Sequence, residues 1–335
     1  MQLIYKITLL LLLAGAIRPC HAQFAKGADV GWLPQMEATG FKFCDNDGKA
    51  KDCLLLLKER GINTIRLRVW VNPNNDKGSG HCGKKETVEM AQRAQKLGMR
   101  LMIDFHYSDT WADPAKQKKP AAWEKHSFPE LCNDVYNHTF EVLDTLKKVG
   151  ITPEWVQVGN EIPGGMLWPE GSTSNWLQLA QLLNKGYDAT KAVDPKIKVI
   201  IHLDEGNNNA KYRTFFDNAT QHGVRYDVIG MSYYPYWINK SYKATLGDLV
   251  GNMNDMIARY NKDVMIVEIG EEDRLVDETY NMLTAVIKAV RSIPGKRGLG
   301  VIYWEPEGAR SWSHYSLGCW QDDGKPSPAL DAFKK

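Results

Sequence analysis

Residues 53–69 read CLLLLKERGINTIRLRV, and this stretch contains one complete helix-to-strand unit. Residues 53–60 have a helical pattern, Gly61 follows them, and residues 62–69 have the pattern of a strand. Glycine directly after a helix is the usual left-handed C-cap. The unit therefore predicts a helix that leads through a tight turn into a strand, as in α/β folds.

The same unit recurs along the chain. Helix-like segments at 87–97, 129–149 and 210–222 end in Gly98, Gly150 and Gly223, and each precedes an apolar run. Further runs give eight strand candidates, at residues 27–31, 62–69, 99–106, 156–161, 197–203, 226–232, 264–268 and 298–304. Eight strands alternating with helices predict an α/β fold, a (β/α)8 TIM barrel in a single domain. An open doubly wound sheet is disfavoured, because no Gly-x-Gly-x-x-Gly follows the first strand.

The first 22 residues have the pattern of a cleaved export signal. Lys6 supplies the positive start, residues 7–16 are apolar, and Cys20-His21-Ala22 predicts cleavage after Ala22. The apolar part is too short to span a bilayer, and no later segment resembles a membrane span. We therefore expect a signal peptide at 1–22, a barrel domain at 23–335, and a location that is periplasmic, cell-surface or extracellular.

The charge balance disfavours nucleic acid as a partner. The chain has 42 Lys and Arg residues against 40 Asp and Glu, and removal of Lys6 and Arg18 with the signal leaves 40 against 40. A neutral chain without a basic run lacks the electrostatics of a nucleic-acid or anionic-membrane binder. A neutral polysaccharide fits better as the partner, and the protein is predicted to be a monomer.

Five cysteines remain after cleavage, at positions 44, 53, 82, 132 and 319. They contain no Cys-x-x-Cys spacing, so a zinc or redox site is disfavoured. One or two disulfides are expected in an exported protein. Cys44 and Cys53 are closest in sequence, and the connectivity is left open.

Two glutamates close apolar runs in the same way. Glu161 ends VQVGNE at 156–161, and Glu268 ends VMIVE at 264–268. On the strand count they end strands four and seven, so both carboxylates are expected at the mouth of the barrel, where active sites of this fold lie. Two carboxylates in one cleft are the minimum for cleaving a glycosidic bond. An ordinary structural ion pair is the alternative for each one.

Polar residues near these glutamates extend the predicted site. Asn160 precedes Glu161 and is placed to bond a sugar hydroxyl. Arg66 and Arg68 share one face of the second strand, and an arginine beside Glu268 would hold that carboxylate ionised. An ion pair inside the barrel without a substrate role is the alternative for Arg66.

Three further strand ends carry candidates. His106 ends the third strand, where a hydrogen-bonded structural histidine is the alternative to a functional one. The stretch Tyr233-Tyr234-Pro235 ends the sixth strand, where a phenol could bond Glu268. Trp304 ends the eighth strand as a platform for the sugar. Two weaker candidates end the fifth strand: His202 and Asp204.

Tryptophans are concentrated at one face of the predicted barrel. Nine of the eleven fall at C-terminal strand ends or in the loops that follow, at positions 32, 70, 111, 123, 168, 237, 304, 312 and 320. A single tryptophan is often part of a core. Their shared position predicts an aromatic groove suited to stacking on sugar rings.

In these motifs the chain resembles glycoside hydrolase family 53, the endo-β-1,4-galactanases of a large retaining clan with catalytic glutamates on strands four and seven. The matching stretches are GADV at 27–30, RLRVWVNP at 66–73, DFHYSDTWADP at 104–114, VQVGNEI at 156–162, SYYPYW at 232–237 and GVIYWEP at 300–306. They cover essentially the whole mature chain in order. The stretch at 104–114 is highly specific, whereas an Asn-Glu pair alone would indicate only the clan.

The resemblance implies Glu161 as general acid/base and Glu268 as nucleophile. Together with the residues at the strand ends, it gives a predicted substrate-binding set of Arg66, His106, Trp111, Asp113, Asn160, Tyr233 and Trp304. Some bacterial members carry calcium in a long loop after strand eight. Residues 305–328 show no clear set of oxygen ligands, so no cofactor is predicted and calcium is left open.

The predicted function is hydrolysis of β-1,4-galactan, the side chain of pectic polysaccharide, by an exported endo-acting enzyme that retains configuration. A different retaining glycanase of the same clan, such as a mannanase or a cellulase, is the nearest alternative. A carbohydrate-binding protein that has the groove without the chemistry is the alternative from another class.

Overall fold

A computed structural model of the chain describes residues 23–74 and 81–335. Eight parallel strands pair in chain order, and the first pairs with the last to close a barrel. The strands are β1 Ala25–Asp29, β2 Thr64–Val69, β3 Arg100–Phe105, β4 Trp155–Val158, β5 Lys198–Leu203, β6 Val228–Tyr233, β7 Asp263–Ile269 and β8 Gly298–Tyr303. The predicted TIM barrel is confirmed, while the predicted signal peptide lies outside the described residues.

Helices surround the strands in alternation with them. They are α1 Leu33–Ala38, α2 Cys53–Glu59, α3 Lys84–Lys96, α4 Phe128–Lys148, α5 Trp176–Val193, α6 Asn209–Gln221, α7 Tyr242–Tyr260, α8 Val276–Arg291 and α9 Arg310–Ser313. The glycines expected to end helices have positive φ angles, which confirms the C-caps predicted at Gly61, Gly98, Gly150 and Gly223. The whole described chain forms one barrel domain.

The interior of the barrel has two layers of different chemistry. Its lower layer is apolar and almost fully buried, and consists of Ala25, Met102, Trp155, Ile200, Val228, Met265, Val267 and Ile302. Burial of a large apolar side chain contributes about 1.5–3 kcal/mol. The layer above it, towards the C-terminal strand ends, is polar and equally buried, and contains Asp29, Arg66, Arg68, Asp104, Gln157 and His202. The polar layer therefore lies directly below the mouth of the barrel, where a site is expected.

An irregularity in β7 changes which side chains face the interior. Met231 of β6 pairs with Ile266, but the next residue, Ser232, pairs with Glu268, so Val267 is an extra residue in the ladder. Val267 packs in the apolar interior, whereas Ile269 packs in the outer core against the helices. The extra residue shifts the alternation by one, so Glu268 faces the barrel mouth.

The described cysteines are all buried and free, so the disulfide prediction is wrong. Cys44 contacts the carbonyl of Asp323, whereas Cys53 begins α2 and packs into the core. The Cys44 and Cys53 thiols therefore lie in separate packing environments. Across residues 23–74 and 81–335, no helix is both long enough and apolar enough to cross a bilayer.

Candidate active site

A cavity of about 500 Å³ opens at the C-terminal ends of the strands. Most of the predicted site residues line it: His106, Trp111, Asp113, Asn160, Glu161, Glu268 and Trp304. Ten further residues complete its wall: Ala112, Pro114, Asp204, Glu205, Asn207, Ser232, Tyr234, Trp237, Ile238 and Tyr315. The two predicted catalytic glutamates therefore share one cavity. Arg66 and Tyr233, which were predicted to contact the substrate, do not line it.

Glu161 is held on a tight turn directly after β4. Gly159 and Glu161 both have positive φ angles, of 87° and 42°. A side chain at Gly159 would lie 2.9 Å from Ile162, so the turn requires glycine there. The Ser232 hydroxyl lies 2.5 Å from Glu161 Oε1 and fixes the direction of the carboxyl group.

The surroundings of Glu161 suit a group that gives and takes a proton. Burial raises the pKa of its carboxyl to about 7, and the Ser232 hydrogen bond opposes that rise. The negative charges of Asp204 and Asp113 raise the pKa further, while Arg66 lowers it. A carboxyl whose pKa lies near neutrality can act as acid in one step and as base in the next.

Glu268 is held by groups of another kind. Arg66 Nη2 lies 2.9 Å from Oε1, and the Tyr234 hydroxyl donates to Oε2 at 3.1 Å. Burial raises the pKa of the Glu268 carboxyl well above its ordinary value, Arg66 opposes that rise, and the Glu161 charge adds to it. Two buried carboxyls that face one cavity hold one proton between them most easily. Because the guanidinium contacts Glu268 directly, that proton belongs on Glu161.

Arg66 was predicted to contact substrate, but it lies outside the cavity wall and contacts Glu268 instead. It is fully buried below the cavity, and its nitrogens donate to side chains around them: Asp29 at 2.5 Å, Gln157 at 2.7 Å, Asn160 at 2.9 Å and Asp104 at 3.0 Å. Its position beside Glu268 agrees with the sequence prediction. A guanidinium with this many partners has a fixed position and no route to a sugar.

The structure also corrects the prediction that Tyr233 binds substrate, because Tyr233 does not line the cavity. Its ring is buried in the outer core, and its hydroxyl lies 2.7 Å from that of Thr245 on α7. Side chains alternate along a strand, so Ser232 faces the interior and Tyr233 faces the helices. The next residue, Tyr234, leaves the strand and supplies the phenol that bonds Glu268.

His106 lines the cavity as a neutral ring with one defined tautomer. Its Nδ1 accepts hydrogen bonds from the Trp70 indole at 3.1 Å and the Ala112 backbone at 3.2 Å. The proton therefore lies on Nε2, which is 3.0 Å from Asp104. Burial lowers the pKa of His106, with Asp104 opposing, so the ring is uncharged at neutral pH. Both nitrogens are occupied by protein groups, which favours a supporting role.

Aromatic rings form one wall of the cavity. Trp304 packs edge-on against Trp32 at 5.2 Å and Tyr315 at 4.9 Å, measured between ring centroids. The Arg68 guanidinium lies 4.3 Å from the centre of the Trp111 ring. Of the nine tryptophans predicted at this face, three line the cavity: Trp111, Trp237 and Trp304. Others are buried packing residues, including Trp70, Trp123 and Trp320.

The segment after β8 does not fit the calcium site that the sequence left open. Glu305 accepts from Arg68 and from the backbone of Gly31 and Trp32. Burial and the Glu305 charge raise the pKa of Glu307 well above its ordinary value, which keeps it neutral. Within residues 23–74 and 81–335, no group of three or more His, Cys, Asp or Glu side chains is placed to hold a metal. No step of the chemistry below involves calcium.

Comparison with known proteins identifies the family of the chain. A profile described as glycosyl hydrolase family 53 matches residues 25–324. The chain is 34% identical over 305 residues to a probable arabinogalactan endo-β-1,4-galactanase A of Neosartorya fischeri, across 84% of this chain and 83% of the relative. It is 32% identical over 311 residues to an endo-β-1,4-galactanase of Bacillus subtilis (strain 168), across 85% and 70%. A solved structure of a fungal β-1,4-galactanase superposes with a TM-score of 0.84 at 31% identity, over 93% and 99% of the two chains.

A TIM barrel whose mouth brings two glutamates into one aromatic-walled cavity, with these similarities, defines a glycoside hydrolase. Within that class, the chain belongs to glycosyl hydrolase family 53.

Proposed function

We propose that the protein is an exported endo-β-1,4-galactanase that cleaves the β-1,4-galactan of pectic type I arabinogalactan with retention of configuration. Its relatives in Neosartorya fischeri and Bacillus subtilis are named as galactanases, which supports the substrate. The observation that carries the chemistry is the difference between its two cavity carboxyls, of which one contacts a hydroxyl and the other a guanidinium.

The first step joins the sugar to the enzyme. Glu268 attacks the anomeric carbon as a carboxylate, which Arg66 and the Tyr234 hydroxyl stabilise. Glu161 gives its proton to the glycosidic oxygen as the bond to the leaving sugar breaks. The products are a glycosyl ester on Glu268, an ionised Glu161 and a free sugar chain that departs.

The second step releases the sugar. Glu161, now a base, takes a proton from water, and the resulting hydroxide equivalent attacks the anomeric carbon of the ester. The bond to Glu268 breaks, which regenerates its carboxylate, and Glu161 is again protonated. Two inversions at one carbon retain the configuration.

Aromatic and polar side chains divide the work of holding the polysaccharide. Trp304 stands beside Tyr315 near the Glu268 side of the cavity and offers a face for a sugar ring. Asn160 donates to the Ala112 carbonyl at 2.8 Å and accepts from Arg66, which fixes its amide in the cavity wall. Asp113 lines the same wall.

Parallel assays on galactan, mannan and cellulose test the substrate. We expect release of reducing sugar from galactan alone, with oligosaccharides as the early products of endo-acting cleavage. Activity on mannan or cellulose but not on galactan would assign the protein to a different glycanase specificity. Proton NMR of the first product before mutarotation tests the mechanism: the β-anomer is expected, and an initial α-anomer contradicts retention.

A further inference from the structure

A chain of buried hydrogen bonds runs from β5 through β6 to Glu161. His202 Nε2 lies 2.8 Å from the Ser232 hydroxyl, which lies 2.5 Å from Glu161 Oε1. His202 is fully buried and outside the cavity wall, while Ser232 is 1% exposed at its edge. The three residues come from three neighbouring strands or strand ends, so the barrel itself assembles the chain.

The neighbours of His202 define which of its nitrogens carries the proton. Nδ1 receives the Gln157 amide at 3.0 Å and the Glu161 backbone N–H at 3.3 Å. The orientation of Gln157 is fixed, because its Oε1 accepts from Arg66 Nε at 2.7 Å. Asn160 Oδ1 is also 3.2 Å from Nδ1, but it already accepts from Arg66. With two donors at Nδ1, the neutral ring carries its proton on Nε2.

The direction of the remaining hydrogen bonds follows from that tautomer. His202 Nε2–H donates to the Ser232 oxygen, so Ser232 directs its own proton at Glu161 Oε1. Burial, with Arg66, lowers the pKa of His202 well below its ordinary value, so the ring does not gain a second proton near neutral pH. Oε1 is therefore always an acceptor, and the proton that Glu161 delivers must sit on Oε2.

We propose that Ser232 and His202 are positioning residues for the acid/base: they fix the rotamer of Glu161, place its transferable proton on Oε2 and stabilise its carboxylate in the second step. The proposal rests on the acid/base role given to Glu161 under the proposed function. Neither residue exchanges a proton with the substrate. Their effect is to make one oxygen of a symmetric carboxyl group the reactive one.

Other charged and titratable groups also act on Glu161, and they come from every element packed around it. These are Arg66 on β2, Asp113 after β3, His202 and Asp204 at the end of β5, Tyr212 on α6, Tyr234 after β6, Glu268 on β7 and Tyr315 after β8. All of them remain when Ser232 is changed. A shift of the Glu161 titration in a Ser232 variant therefore isolates the hydroxyl.

The pH dependence of kcat/KM on a galactan oligosaccharide tests the proposal. Ser232→Ala removes a hydrogen bond to the ionised form of Glu161, so the pKa of that carboxyl rises and the acid form persists to higher pH. The alkaline limb is expected to move upward by about one pH unit and kcat to fall about tenfold, with little change in KM. Ser232→Thr retains the hydroxyl and is expected to keep the limb near its wild-type position.

A second variant separates positioning from substrate binding by Ser232. His202→Leu lies outside the cavity wall, and it should move the alkaline limb in the same direction. The double variant with Ser232→Ala should shift the alkaline limb no further than Ser232→Ala alone, because Nε2 of His202 reaches the Glu161 carboxyl only through the Ser232 hydroxyl. Thermal melting checks that each variant is folded. Carbon-13 NMR titration of the Glu161 carboxyl, assigned with Glu161→Gln, gives the same answer without turnover.

The outcomes distinguish this proposal from the proposed function. An alkaline limb that stays in place or moves downward in Ser232→Ala overturns the positioning role. The positioning role is also overturned if the shifts of the alkaline limb in Ser232→Ala and His202→Leu add fully in the double variant. If Glu161→Gln still cleaves galactan at the wild-type rate, the acid/base assignment itself fails. If Glu161→Gln is inactive and Ser232→Ala keeps the wild-type limb, only the positioning role fails.

Discussion

Glu161 and Glu268 are the same residue type in one cavity, and they differ in what holds them. Glu161 contacts a neutral hydroxyl and faces the negative charges of Asp204 and Asp113. Glu268 contacts a guanidinium and a phenol. Burial raises the pKa of both carboxyls, but Glu268 has a guanidinium in direct contact, which favours its ionised form relative to that of Glu161. Under the proposed function, this difference separates the acid/base from the nucleophile, and it arises from the side chains on the adjacent strands.

Replacement of Glu268, the proposed nucleophile, should have the largest effect. In Glu268→Ala no covalent intermediate can form, and we expect a loss of about 10⁴-fold or more in kcat on every galactoside, whatever its leaving group. Galactan binding, measured by calorimetry, should persist because the aromatic wall is intact. Substantial residual turnover in Glu268→Ala would remove the distinction between the two carboxyls.

Replacement of the acid/base should depend on the leaving group, which sharpens the comparison. Glu161→Ala is expected to lose about 10²–10⁴-fold on galactan, where the leaving oxygen needs a proton. The loss should be much smaller on an aryl galactoside with an acidic phenol, and added azide should restore turnover by attacking the glycosyl-enzyme. An equal loss on both substrates, with no effect of azide, would contradict the assignment.

Removing the guanidinium should make the surroundings of Glu268 resemble those of Glu161. Arg66→Met leaves Asp29, Asp104 and Glu268 without their shared cation, and we expect a loss of about 3–5 kcal/mol in the free energy of unfolding. The pKa of Glu268 rises further, so the nucleophile becomes protonated at higher pH and the acidic limb of kcat/KM moves upward. Arg66→Lys retains a charge and serves as the matched control, with a smaller shift. An unmoved acidic limb in Arg66→Met contradicts this account.

Two adjacent tyrosines give the smallest and most closely matched contrast. Tyr234→Phe removes the phenol that donates to Glu268, and we expect kcat/KM to fall about tenfold or more. Tyr233→Phe removes a hydroxyl bonded to Thr245 outside the cavity, so kcat/KM should stay near the wild-type value while thermal stability drops slightly. A larger loss of activity in Tyr233→Phe than in Tyr234→Phe would reverse the assignment.

Local patterns were sufficient to predict the architecture. Glycines such as Gly61 and Gly150 marked helix ends, and the apolar runs after them became the eight strands of the barrel. The position of Glu161 at the barrel mouth was predicted for the same reason, since strand ends in this fold meet at one face. These signals are local in sequence, so no long-range contact had to be known.

The sequence was a poorer guide where contacts between distant strands determine which side chains face the cavity. Strict alternation along β6 excludes Tyr233 from the cavity, because Ser232 faces the interior and Tyr233 therefore faces the helices. The same rule fails for Glu268, because the extra residue Val267 shifts the alternation of β7. The sequence signal is weak for His202 and absent for Ser232, since their hydrogen bonds join three separate strands and leave no spacing in the sequence.

Trapping the covalent intermediate tests the division of roles most directly. A 2-deoxy-2-fluoro-galactobioside with a good leaving group slows both chemical steps and allows the glycosyl-enzyme to accumulate. Mass spectrometry of the digested protein then locates the sugar on one peptide. We expect a single adduct on Glu268, formed also in Glu161→Ala. An adduct on Glu161, or an active enzyme that forms no adduct, would contradict it.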